Sequence, residues 1–230
     1  MLDVGAESTR PGAKRLEGTQ EWARLEPVLS LFGQRLSSIP LSLDTRHPLP
    51  AERGLALGVA ALNDVTGFSN PALLELASCS SCGLIAMRSR LQEGELVMPE
   101  YGGAGLRSAD AAIRELALVR DRLLDAGIAP ERILLDPGFG FGTTFQEDLA
   151  LWAALPALPS LLDWPVQRFC IGVSRKRFLA WRANQPDLPP RDRDALTWSA
   201  HREALELGYK VLRTHTPFPG HGELPGDLQY

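Results

Sequence analysis

Short runs rich in aliphatic and β-branched residues alternate along the chain with longer stretches of helical spacing, the rhythm of a β/α protein. Seven runs read as strands: Leu2 to Gly5, Leu41 to Thr45, Leu62 to Val65, Leu84 to Arg88, Ile133 to Pro137, Phe169 to Ser174 and Val211 to His215. Ile113, Leu116, Ala117, Leu123 and Leu124 recur on one helical face, with Ser108 as N-cap and Gly127 as stop. Pro71 to Leu76 and Asp194 to Leu207 read as further helices, and the other inter-strand segments fit crossover units. Two stretches break the rhythm. Ser89 to Leu106, with Gly94, Pro99, Gly102, Gly103 and Gly105, is a long loop after the fourth strand, of the kind that serves as a lid. Ala183 to Asp192 is a second irregular connection, and the tail from Pro217 onward has no helical pattern. A barrel-forming unit over residues 1–216 followed by an irregular tail over 217–230 is expected.

Repeated βα units whose strands read as apolar runs imply an α/β fold with a parallel sheet covered by helices. An open doubly wound sheet and a closed (β/α)8 barrel both fit that pattern. The position of the polar residues favours the barrel, because its sites gather at the C-terminal ends of many strands, whereas an open sheet concentrates ligands at one switch point. Here the ends carry Glu7-Ser8-Thr9-Arg10, Asp44-Thr45, Asn63-Asp64, Asp136-Pro137, Ser174-Arg175-Lys176, and Arg213 with His215. The expectation is a TIM-type barrel with about seven of its eight strands.

Composition narrows the function. The 230 residues suit one domain, and a net charge of -4 with no basic run supplies no field for nucleic acid or an anionic membrane surface. No apolar stretch approaches the roughly 20 residues of a membrane helix, and Met1 to Gly5 lacks the pattern of a signal peptide, so a cytoplasmic protein is expected. Cys79, Cys82 and Cys170 are too few for a disulfide framework. The Cys79-Ser80-Ser81-Cys82 spacing finds no second ligand pair for zinc, and both thiols are read as ending an apolar helix.

The strand-end residues suggest a divided site. Ser8, Thr9 and Arg10, in a glycine-bounded turn after the first strand, can hold an anion or carboxylate; a polar turn with Glu7 and Arg10 paired is the plainer alternative. Asp136-Pro137-Gly138-Phe139-Gly140-Phe141-Gly142 lacks the G-x-G-x-x-G spacing of a dinucleotide fingerprint, and its glycines instead turn the backbone beside Asp136. Asp44 and Asp136 with Asn63 suit a polar heterocycle, because carboxylates accept from amino and ring N–H groups and repel phosphate. For each acid alone, N-capping of the next helix is the alternative. Lys176 is one of three lysines, with Lys14 and Lys210, against 21 arginines, so its compact ammonium reads as chosen where arginine is the default cation. A solvated basic turn at Ser174 to Arg177 is the competing reading. With Arg10, Arg213 and His215, Lys176 makes a cationic half.

These segments, in this order, resemble dihydropteroate synthase, a pterin-binding (β/α)8 enzyme of folate biosynthesis. The resemblance is carried by Asp3-Val4-Gly5-Ala6-Glu7-Ser8-Thr9-Arg10-Pro11-Gly12, Ser42-Leu43-Asp44-Thr45, Asn63-Asp64-Val65-Thr66-Gly67-Phe68, Leu135 to Gly142, Gly172 to Phe178 and Arg213-Thr214-His215. It implies displacement of diphosphate from (7,8-dihydropterin-6-yl)methyl diphosphate by 4-aminobenzoate. It implies a pterin pocket of Asp44, Asn63, Asp136 and Lys176 lined by Met87, Phe141 and Gly172. Arg213 and His215 are implied at the diphosphate, Thr214 between them among the substrate-binding residues, Ser8, Thr9 and Arg10 in a mobile loop beside the aminobenzoate and diphosphate, and Ser174 at the aminobenzoate. Lys176, Arg213 and His215 are the implied catalytic residues.

The family also implies Mg2+, liganded by an Asn of a first strand that this sequence does not contain, and a homodimer. The sequence departs from the family in other places. Met87-Arg88 stands for the usual Met-His, Thr143 for a common Lys, and Thr216-Pro217 for the start of a final helix. Two open sheet edges would invite pairing with another chain, so oligomerisation or poor solubility is expected. A binding-only relative and a methyltetrahydrofolate-binding methyl-transfer domain are the alternative readings.

Overall fold

The computed structural model describes residues 1–8, 15–35, 39–92, 95–96 and 109–216. Each expected strand is present: β1 Leu2–Gly5, β2 Leu41–Asp44, β3 Ala61–Asp64, β4 Gly83–Met87, β7 Ile133–Asp136, β8 Cys170–Ile171 and β9 Val211–Leu212. A short hairpin, β5 Leu91–Gln92 and β6 Glu95–Leu96, opens the segment expected as a long loop, most of which lies outside the described residues. Between the strands run α1 Gly18–Arg35, α2 Pro48–Ala56, α3 Pro71–Cys79, α4 Ala109–Asp125, α5 Phe145–Ala154, α6 Leu158–Leu161, α7 Arg177–Arg182 and α8 Asp194–Glu206.

All ladders of the main sheet are parallel, in the order β1-β2-β3-β4-β7, and β8 pairs with β9. A parallel bridge from Leu135 to Phe169 connects the two groups. With the β5–β6 hairpin set aside, strands that follow one another in the chain are neighbours, which is the order of a barrel and excludes the order reversal of a doubly wound sheet. Among the described residues no ladder joins β9 back to β1, and β1 is largely exposed. The seven-stranded, incompletely closed barrel matches the expectation.

Strand alternation divides the core. Leu43, Leu62, Leu84, Ala86, Ile133 and Leu135 are fully or almost fully buried in a single apolar cluster with Leu25, Leu73, Leu116, Val119, Leu123 and Leu151 of the helices. Burying side chains of this size yields roughly 1.5 to 3 kcal/mol each, enough to fix strand register. The residues between them, Ser42, Asp44, Asn63 and Asp136, take the opposite face.

The two last strands are shorter than expected. After Ile171 the chain leaves the sheet, and Lys176 N–H donates to Val173 carbonyl in a turn with Arg175 at φ +57°, so the Gly172 to Ser174 segment is loop. The helix expected at Pro71 to Leu76 continues to Cys79, begun by Asn70, which accepts from the Ala72 and Leu73 N–H groups, with Pro71 at its first position. Cys79 ends that helix, as expected of both thiols, but Cys82 lies beyond it, buried on the approach to β4. The expected N-cap Ser108 and the tail over 217–230 lie outside the described residues.

Candidate active site

The register of the sheet aligns the strand ends that carry the polar residues. Asp44 pairs with Gly5 and with Asn63, and Met87 pairs with Asp136. Gly5 has a reason to be glycine, since a Cβ there would stand 2.9 Å from the Asp44 carbonyl and 3.0 Å from its Cβ. The same holds at Gly172, where a Cβ would come within 3.1 Å of Asp136 Oδ2. Small residues next to the acids leave both carboxyl groups room at the mouth of the barrel.

Arg213, just past β9, reaches across the unpaired edge. Its Nε donates to Asp3 Oδ2 at 2.7 Å and its Nη2 to Asp44 Oδ2 at 2.7 Å, while Asn63 Nδ2 donates to Asp3 Oδ2 at 3.0 Å. Asp3 was not among the residues expected at the site. Its signal was available in the strand period, because Asp3 and Gly5 share a face and Gly5 sits opposite Asp44. Burial raises the Asp44 carboxyl above its usual range to about 7, with Asp3 pushing the same way and Arg213 opposing.

Asp136 is buried, and its Oδ1 accepts from Gly138 N–H at 2.8 Å. Burial raises its pKa, opposed by that hydrogen bond and by Arg213 and Lys176. Lys176 turns inward: its Nζ lies 4.0 Å from the centre of the Phe141 ring, and Gly140 packs against its stem. Burial pulls its ammonium down to about 8 against the Asp136 and Asp148 carboxylates that hold it up. The basic-turn reading is thereby divided among its members. Arg175 forms a bidentate pair with Asp194 at 2.6 and 2.8 Å and Arg177 stacks over Phe145, leaving Lys176 to face the pocket.

Ser174 Oγ accepts from His215 N–H at 3.1 Å and lies 2.9 Å from His215 Nδ1. With the serine proton given to Nδ1, the imidazole carries its own proton on Nε2, a donor fit for an anion. Thr214 is exposed and donates to the Thr216 carbonyl. Met87 is buried beside Gly138. Ser8 is exposed and follows Glu7, whose carboxylate accepts from Arg46 at 3.0 and 3.2 Å and from Leu16 N–H. That set of partners lowers the pKa of Glu7 against the effect of burial, which raises it. Thr9 and Arg10 lie outside the described residues. Asp44, Asn63, Met87, Asp136, Phe141, Gly172, Ser174, Lys176, Arg213 and His215 thus all lie at the C-terminal ends of the strands or just beyond them.

Two further acids are structural. Asp64 is fully buried and accepts from Thr66 N–H, Thr66 Oγ1 and Phe68 N–H, which holds the left-handed turn at Gly67 and Phe68. Asp148 accepts from Gly140 N–H at 3.0 Å and Thr143 Oγ1 at 2.7 Å, bracing the glycine turn from α5. Burial raises its pKa to about 6.

The family model described as pterin binding enzyme matches residues 1–215. The chain belongs to the pterin-binding enzymes. Within that family its relatives are dihydropteroate synthases, which are transferases: it is 35% identical over 218 residues to the synthase of Neisseria meningitidis serogroup C, covering 94% of this chain and 73% of that one. The type-2 synthase of Escherichia coli is 33% identical over 95% of this chain and 78% of its own. Among solved structures, the Xanthomonas albilineans synthase with 4-aminobenzoic acid superposes with a TM-score of 0.78 at 31% identity, over 93% of this chain and 72% of that one. The Burkholderia cenocepacia synthase complexed with 7,8-dihydropteroate gives 0.76 at 34% identity, over 94% and 75%. The TIM-barrel expectation and the resemblance to this pterin-binding family are both borne out.

Proposed function

We propose that this pterin-binding enzyme condenses (7,8-dihydropterin-6-yl)methyl diphosphate with 4-aminobenzoate to form 7,8-dihydropteroate and diphosphate. What supports the reading is the convergence at the barrel mouth of acceptors, Asp44 and Asp136 with Asn63, and of donors able to meet an anion, Lys176, Arg213 and His215. Carboxylates accept from the amino and ring N–H groups of a pterin. Guanidinium, ammonium and imidazole groups meet the charge that grows on a departing diphosphate, the electrostatic stabilisation such a leaving group requires.

In the reaction the bond from the pterin methylene carbon to the diphosphate oxygen breaks, and its electron pair leaves on the diphosphate. The amine nitrogen of 4-aminobenzoate forms the new C–N bond and loses a proton. Carbocation character at the methylene carbon is favoured by the nearby Asp44 and Asp136 carboxylates. The aromatic amine is a weak nucleophile, so Ser174 and the Ser8-Thr9-Arg10 segment act by holding its carboxylate and aiming its nitrogen.

Magnesium accompanies this chemistry in the family. Among the described residues no group of three or more His, Cys, Asp and Glu side chains is placed to hold a metal, and the adjacent carboxylates Asp3 and Asp44 are both engaged by Arg213. The described residues therefore do not fit the ion by themselves, and the roles above belong to the side chains alone. A cytoplasmic location fits the free state of Cys79, Cys82 and Cys170, and no helix among the described residues is long and apolar enough to cross a membrane.

Calorimetric titration with the pterin diphosphate, followed by 4-aminobenzoate, tests the reading. A synthase gives saturable pterin heat and then the sustained heat of turnover. Saturable heat in both titrations with no product would leave a binding protein.

A further inference from the structure

Arg88 is the largest fully buried side chain of the described residues, and its side-chain hydrogen bonds go to two backbone carbonyls and Glu115 rather than to a side chain assigned to substrate. Its Nε donates to Pro137 carbonyl at 3.0 Å, its Nη2 to Gly138 carbonyl at 3.2 Å and its Nη1 to Glu115 Oε2 of α4 at 3.0 Å. Its own backbone N–H donates to the Asp136 carbonyl, and its carbonyl lies so close to Gly138 that a Cβ there would be 1.9 Å away. Two residues on, Arg90 Nη2 donates to Glu147, the acid of the capping box that starts α5. The segment leaving β4 therefore clasps the whole β7–α5 connection.

The Pro137 carbonyl and the Gly138 N–H belong to one planar peptide unit and point in opposite directions. Arg88 holds the carbonyl end of that plane, and Asp136 Oδ1 accepts from its N–H end. Gly138 has φ +70°, so this plane sits in a turn where a glycine allows the peptide to flip at little steric cost. A flip would turn the N–H away from Asp136 and leave a buried carboxyl without its donor. Only a guanidinium has donors enough, in a fixed fork, to bridge two successive carbonyls and still reach a carboxylate on a third element.

We propose that Arg88 is a positioning residue for pterin binding: it locks the Pro137–Gly138 peptide in the orientation that presents Gly138 N–H to Asp136, and so sets the carboxylate that meets the pterin. This rests on the pterin reading of the site. The test is Arg88→Lys, which keeps the charge and loses the fork, with thermal melting to establish folding. In the folded variant the Kd for the pterin diphosphate, measured without 4-aminobenzoate, is expected to weaken at least tenfold. The KM for 4-aminobenzoate should stay within twofold. In the ligand-free protein, Gly138 amide exchange should be at least tenfold faster. A merely structural arginine would lower the melting temperature and leave the Kd of the folded molecules within twofold, and that result overturns the proposal. If Arg88→Lys does not fold, Glu115→Ala replaces it, with an expected weakening of about threefold and faster Gly138 exchange; no change in either overturns the proposal. Failure of the unsubstituted chain to bind the pterin would refute the pterin reading, and the Gly138 exchange rates would then decide separately whether Arg88 holds the peptide.

Discussion

Nη2 of Arg213 lies 2.7 Å from Oδ2 of Asp44, so the cation assigned to the diphosphate is paired with an acid assigned to the pterin. The same guanidinium holds Asp3, and both carboxylates converge on it from β1 and β2. Arg213 and the two carboxylates offset each other's charge in this ligand-free arrangement. A diphosphate that draws Arg213 away would leave Asp44 free to accept from the pterin edge.

Arg213→Met removes the counter-ion from two neighbouring carboxylates. Asp44, already raised to about 7 by burial and Asp3, should rise further, so less of it is ionised at neutral pH. Turnover should fall roughly 10²- to 10³-fold. The acid limb of the residual kcat/KM for the pterin diphosphate should therefore move to higher pH, and kcat/KM against pH measures both effects.

Lys176 carries a second pH dependence. Its ammonium is depressed from the ordinary 10.5 to about 8, chiefly by burial, so its charge is present below pH 8 and lost as pH rises through it. An alkaline limb near pH 8 should appear in kcat/KM for the pterin diphosphate. Lys176→Arg should abolish that limb and reduce kcat/KM at least tenfold, because Gly140 lies close to a slender stem and the Phe141 ring receives a compact ammonium.

The glycines of the pocket should separate folding from binding. At Gly138 an added Cβ meets the Arg88 carbonyl at 1.9 Å with φ at +70°, so Gly138→Ala should cost several kcal/mol and lower the midpoint of urea unfolding substantially. At Gly172 the nearest atom is Asp136 Oδ2 at 3.1 Å. Gly172→Ala should unfold at nearly the same urea concentration while pterin affinity falls about tenfold, as the carboxylate is displaced.

His201 of α8 is fully buried, and burial depresses its pKa from 6.5 to about 4. Between those values the unfolded chain binds the proton and the folded chain does not, so His201 makes stability fall as pH drops from 6.5 toward 4. The loss should reach on the order of 3 kcal/mol. Asp148, raised from 3.8 to about 6, works in the opposite direction over an overlapping range, since its folded form takes up the proton first. Urea unfolding of His201→Leu against pH should therefore lose the acid-side decline and retain any opposing slope from Asp148.

The strands and their polar ends were legible because a parallel sheet writes its core as apolar runs and its site as the residue after each run. Asp44, Asn63, Asp136 and Lys176 were found in that way. Other features depended on partners distant in sequence. Asp3 belongs to the site because Arg213, 210 positions away, closes on it. Arg88 read as a departure from a family pattern, and its contacts with Pro137 and Gly138 exist only once β4 and β7 are side by side. The early end of β8 is followed by a turn in which Arg175 adopts a left-handed conformation, held by Asp194 from a later helix. Strand propensity alone carries no information about such a partner.

The central claim is that the divided barrel mouth performs the condensation. Its most direct measurement is formation of 7,8-dihydropteroate by the purified chain with pterin diphosphate, 4-aminobenzoate and magnesium, beside Lys176→Ala. Product with equimolar diphosphate release, reduced at least a hundredfold by the substitution, is the predicted result. A folded chain that binds the pterin diphosphate and yields no product, or one whose product formation is indifferent to Lys176, would contradict it.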